Sequence, residues 1–239
     1  MSLQVLRQHL APLPLSASFK EQLGSEVELQ TYLFYLELPP LLAPLFPGVS
    51  ASQIEELTVN NYLYFRFVLT ADQLLGQEGG PTRQQLIDCL TLHEHAVRAL
   101  SRLFAPQLDF WQYYHRCQCR YAEAQRLQRE CTEQQAWDEE QVEEVAAGKA
   151  AICYAIVHAL ATLNQQGRPM QPLLECLGGI HLASQYYDDR QDHQPAINHA
   201  QAHYQRSLSL AEQLGLPQLG AFLRRHMLHY VGHQQLGVA

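Results

Sequence analysis

Positive charge is scarce in this chain, and lysine is scarcest of all. Of 239 residues, 16 are Lys or Arg against 24 Asp or Glu, for a formal net charge of −8. The lysines are Lys20 and Lys149 alone. Binding to nucleic acid draws on a surplus of Lys and Arg to neutralise phosphates, so no nucleic-acid partner is expected. A run of about 18 apolar residues is also lacking, which predicts no integral membrane segment. The start, Met1-Ser2-Leu3-Gln4-Val5-Leu6-Arg7, has no basic region leading into a long apolar core. That argues against a secretory signal and for a cytoplasmic location.

No paired-cysteine framework is visible either. Cys89, Cys117, Cys119, Cys131, Cys153 and Cys176 are scattered through helical patterns, where reduced and mostly buried thiols are the default. His115, Cys117 and Cys119 invite a zinc reading. On a helix, however, residues two apart point about 200° away from each other, so Cys117 and Cys119 do not readily serve one metal. No zinc is expected from that set.

What is present is apolar residue at helical spacing. Hydrophobic residues make up 47% and charged residues 17%, a globular balance. The length suits one sizeable core, predicting a single domain over residues 1–239. The period of about 3.6 residues recurs along the chain with no convincing strand alternation. Helices are predicted over 2–10, 25–38, 52–76, 82–104, 109–135, from Trp137 onward through Lys149, then 170–192, 196–214 and 218–233. Pro39-Pro40 is expected to stop the second of these. Leu86, Leu90, His93, Val97, Leu100 and Leu103 are expected to face inward from the fourth.

The most informative stretch is Gln185-Tyr186-Tyr187-Asp188-Asp189-Arg190-Gln191-Asp192. Asp188 and Asp192 stand one helical turn apart, with Asp189 about 100° round the axis from Asp188. Their stripe runs back through Gln185, His181, Leu177 and Leu174, so the acids continue a largely apolar face. Clustered carboxylates there repel one another and are costly to desolvate. A hard divalent cation with oxygen ligands removes that cost. A second carboxylate, Asp72, continues another inner stripe: Leu57, Asn61, Phe65 and Val68.

Gln185 to Asp192 resembles the second aspartate-rich motif of the polyprenyl diphosphate synthases, within the wider class I isoprenoid synthases that include terpene cyclases. Residues 67–76 resemble the first such motif, with Asp72 in the leading position but Gln73 and Gly76 where further acids stand. Gly79-Gly80-Pro81-Thr82 matches the end of the segment that follows it in chain-elongating members, without that segment's arginines. Gly148-Lys149-Ala150-Ala151 resembles the lysine segment of the same family. The aromatic helix that carries Phe110, Trp111, Tyr113 and Tyr114 is similar to the aromatic wall of terpene-type enzymes.

The resemblance, covering about residues 52–195, implies an all-α, antiparallel helix bundle around a central cavity. It implies Mg2+-dependent ionisation of an isoprenoid (allylic) diphosphate, leading to cyclisation, elimination or prenyl transfer. Asp72, Asp188, Asp189 and Asp192 would hold Mg2+. Lys149 and Gln185 would act on the leaving group and the developing cation, and Phe65, Leu69, Trp111, Tyr114, Arg120 and Arg190 would bind substrate. A homodimer is left open. The incomplete first motif keeps an alternative: a non-catalytic relative serving as a partner or regulatory subunit.

Overall fold

The computed structural model describes residues 3–76, 79–104, 109–134, 137–165, 171–189 and 194–226. Among them every regular element is a helix, so the expected all-α helix bundle holds. The chain divides into two compact units, residues 1–43 with 47–108 and residues 44–46 with 109–239.

The first unit comprises α1 (Leu3–Leu10), α2 (Ala17–Leu23), α3 (Glu26–Thr31), α4 (Leu33–Leu42), α5 (Ala51–Gly76) and α6 (Arg83–Leu103). Its core gathers Leu6, Leu10, Leu13, Leu15, Leu23, Leu29, Leu36, Val59, Tyr62, Leu63 and Leu92. The helix predicted over 25–38 is two helices, and Pro39 and Pro40 lie inside the second. Proline removes the amide that would bond the carbonyl four residues back. For Pro39 that carbonyl is Tyr35, and the buried Asn61 side chain of α5 donates its Nδ2–H to it instead. Burial of Leu38, Leu41 and Leu42 then carries the helix past both prolines. Val27, on α3, is exposed.

Thr82 opens α6 with a reciprocal capping box to Gln85, which satisfies amides the first turn leaves orphaned. Its inward face meets the expected one at Leu100 and departs from it at Leu86 and Leu90. Leu86 and Leu90 are exposed, and Asp88, Cys89, Leu92, Ala96, Ala99 and Leu100 are buried. Asp88 takes that face inward because its two carboxylate oxygens accept from the backbone N–H and hydroxyl of Ser16, at 2.9 and 2.6 Å. Small Ala96 and Ala99 permit close packing on α5, whose Asn60 Nδ2 donates to the Ala96 carbonyl at 3.1 Å.

Arg66, 1% exposed, is a charged side chain buried in this unit. Its Nη2 lies 2.6 Å from a Glu28 carboxylate oxygen, and its Cζ sits 4.8 Å from the centre of the Tyr32 ring. Ion pairing and the ring face offset part of the desolvation penalty.

The second unit comprises α7 (Asp109–Gln134), α8 (Glu139–Lys149), α9 (Ala151–Leu163), α10 (Gln171–Asp189), α11 (Gln194–Gln213) and α12 (Pro217–His226). Asp138 caps α8 reciprocally with Gln141. The stretch from Glu139 to Leu163 is long and apolar enough to cross a membrane, but 78% of its apolar window is buried inside the fold. It is a core element, interrupted at Ala150 directly after Lys149. Gly148 lies where α8 meets α7, against the Arg120 carbonyl and the Ala124 side chain. Gly178 and Gly179 on α10 face the Tyr154 hydroxyl and the Ser207 side chain of α11, respectively. Neighbouring side chains, not extra flexibility, account for that glycine pair.

Candidate functional site

Helix α10 carries the densest set of expected site residues, and it packs on α8, α9 and α11. Lys149, at the last position of α8, is half-buried. Its Nζ donates to Gln185 Oε1 at 2.9 Å, and Gln185 is 4% exposed. One turn along each element, Cys153 Sγ and His181 Nε2 stand 3.2 Å apart. The pairing 149 with 185 and 153 with 181 means the two elements run antiparallel, presenting two polar rungs a turn apart. Nothing in residue spacing alone could have joined positions 36 and 28 residues apart.

The electrostatics of the rungs differ from those of an activated thiol. Burial pushes the Cys153 thiol strongly upward. Burial, with the Lys149 charge next, lowers His181 to about 4. A thiolate–imidazolium couple needs both shifts reversed, so Cys153 and His181 are a neutral thiol and a neutral imidazole near pH 7. Tyr154, which follows Cys153, is raised to about 12, first by burial. Lys149 is therefore the one cationic group of the ladder.

Toward its C-terminal end α10 continues into Tyr186, 3% exposed, whose hydroxyl lies 3.4 Å from Glu139 Oε1. The same carboxylate oxygen is 3.3 Å from His199 Nδ1 of α11. The Tyr186 ring stacks with His203 and meets His199 edge-on, at 5.9 and 5.3 Å between centres. This cluster was not anticipated from sequence. Its members come from three helices, and the histidines lack acidic neighbours close in the chain.

Asp188 and Asp189 end α10; their side chains, with Arg190 and Asp192, lie outside the described residues. Among the described residues no three His, Cys, Asp or Glu side chains gather as a metal site. Asp72, Phe65 and Leu69 belong to the first unit. Phe65 is buried and stacks on Tyr35 at 3.4 Å between ring centres, meeting Tyr32 edge-on. Leu69 is half-buried, whereas Asp72 is exposed. The inner stripe of α5 thus extends through Val68 and ends before the carboxylate.

In α7, Tyr114 is buried and Trp111 half-buried; both rings meet Phe110 and each other. Phe110 and Tyr113 stack on His158 of α9. Arg120 is exposed. The aromatic helix therefore builds packing as well as any lining. No protein-family model matches the chain, and no curated protein and no solved structure matches it.

Proposed function

We propose that the second unit binds the diphosphate head of an isoprenoid substrate and assists its Mg2+-dependent ionisation. The observation that carries this reading is the 2.9 Å contact between Lys149 Nζ and Gln185 Oε1. It puts the half-buried Lys149 ammonium a single turn before Asp188 and Asp189 on α10. Diphosphate departure concentrates negative charge on oxygen, and a preorganised cation stabilises that charge more in a low-dielectric setting than in water. Lys149 would release Gln185 and donate to the leaving oxygens. Gln185, freed, would turn its amide oxygen toward the allylic cation. Asp188, Asp189 and Asp192 are the carboxylates that would hold Mg2+, which supplies Lewis-acid stabilisation of the leaving group when bound.

A second reading is favoured by two features of α5: Asp72 is exposed, and Gln73 and Gly76 replace acids. In it the chain is a non-catalytic relative that acts as a partner or regulatory subunit. Thermal unfolding with Mg2+ and pyrophosphate, together and singly, tests the binding step. Stabilisation that needs both components and disappears in Lys149→Ala supports the proposal; a ligand at about 100 times its Kd adds about 2.7 kcal/mol. No shift with both components refutes it. Incubation with geranyl, farnesyl and geranylgeranyl diphosphates then separates the two readings. Turnover abolished by Asp72→Ala or Asp188→Ala supports the enzyme, and binding without turnover supports the subunit.

A further inference from the structure

We propose that His115 and Cys119 form a two-ligand site for a zinc-class cation on the exposed face of α7. The two residues are one helical turn apart, and both are exposed. Cys119 Sγ stands 3.6 Å from His115 Nε2. Tetrahedral zinc holds a thiolate sulfur at about 2.3 Å and an imidazole nitrogen at about 2.0 Å, which puts the two donors about 3.5 Å from each other. The pair therefore already has the ligand-to-ligand separation of a zinc vertex, with its open side toward water.

Cys117, the nearer cysteine in sequence, points the other way. It is buried and its thiol is pushed up to about 12 by burial. The Cys153–His181 pair has the same chemistry but is enclosed: Cys153 is fully buried. Arg116 lies beside the pair in sequence, yet its guanidinium is drawn over the Tyr113 ring, 5.6 Å from Cζ to the ring centre. Thiolate and imidazole together select zinc and its softer neighbours over Mg2+ or Ca2+, so this site is chemically distinct from the carboxylate end of α10.

On binding, the Cys119 S–H bond breaks and its proton passes to solvent as the metal–sulfur bond forms. His115 coordinates through the lone pair of Nε2, its own proton resting on Nδ1. Water fills the remaining two positions.

The full chain, reduced with a phosphine and freed of metal, is titrated with Co2+ and then Zn2+. Wild type is expected to bind one ion per chain, with a thiolate-to-cobalt charge-transfer band that Zn2+ bleaches. Cys119→Ser should lose the band, and His115→Gln should weaken binding at least tenfold. Both positions are exposed, so unfolding temperatures should stay unchanged and report that the variants fold. Zn2+ should also slow alkylation of Cys119 in wild type and not in His115→Gln. Absence of the band in wild type, its survival in Cys119→Ser, or equal affinity in His115→Gln would overturn the site. Half an ion per chain with a doubled mass would overturn its one-chain form.

Discussion

Gly148→Ala is the substitution for which helix propensity and packing predict opposite signs. In an exposed helix interior the change gains about 1 kcal/mol. At Gly148 an added Cβ would overlap the Ala124 Cβ and lie 2.8 Å from the Arg120 carbonyl oxygen. Neither obstacle is the tip of a flexible side chain; one is backbone and the other a Cβ fixed to it. Relief requires α7 and α8 to separate. Overpacking costs about 1–3 kcal/mol, and rigid neighbours put this case at the upper end, about 3 kcal/mol. The net expectation is a loss of about 2 kcal/mol, or about 4–8 °C in Tm for a chain of this length. Gly220→Ala in α12 is the matched control. Its nearest neighbour would be Arg224 Nη1 at 3.9 Å, an ordinary contact, so the propensity gain should survive and raise Tm by about 2–4 °C. Calorimetry or thermal circular dichroism reads both. An unchanged or raised Tm in Gly148→Ala would refute the close crossing of α7 and α8.

Three further outcomes follow from other parts of the structure. Glu28→Ala leaves the Arg66 guanidinium buried beside Tyr32 without its carboxylate; urea unfolding should report a loss of about 3–5 kcal/mol, and a change under about 1 kcal/mol would contradict the buried pair. His181 has a folded-state value near 4 against the ordinary 6.5, so the unfolded chain takes up a proton first as pH falls. Its contribution is complete above pH 6.5 and is lost between about pH 6.5 and 4, up to about 3 kcal/mol; His181→Gln should flatten that part of the pH–stability curve, and an unaltered curve would argue against burial of a neutral imidazole. Five of the six cysteines are buried and Cys119 is exposed, so an aromatic disulfide reagent should modify one thiol quickly and the others only on unfolding, with Cys119→Ser abolishing the fast phase; two or more fast thiols would contradict the packing of α6, α7, α9 and α10.

Much of the fold was legible because helical periodicity and capping are local properties. The period of apolar residues located the long helices, and the cap that Thr82 and Gln85 form joins neighbours three positions apart. Where expectation failed, a distant residue had intervened. Pro39 and Pro40 read as a stop because the carbonyl left without its amide could not be matched within the segment; Asn61 of α5 supplies the missing donor. The face of α6 was misassigned at Leu86 and Leu90, which are more apolar than Ala96 and Ala99 yet exposed. The Asp88 bond to Ser16 decides which side turns inward.

The candidate site divides along the same line. Sequence by itself determined which residue types were available: two lysines, a carboxylate-rich helix end and an all-helical setting to hold them. Only tertiary structure decided that Lys149 meets Gln185, that Cys153 and His181 are neutral partners, and that Asp72 faces outward. Helix formation is governed by neighbours within about four residues. Burial, charge state and donor–acceptor pairing depend on side chains that the fold brings in from other helices. The chemistry of α10 belongs to that second kind of interaction.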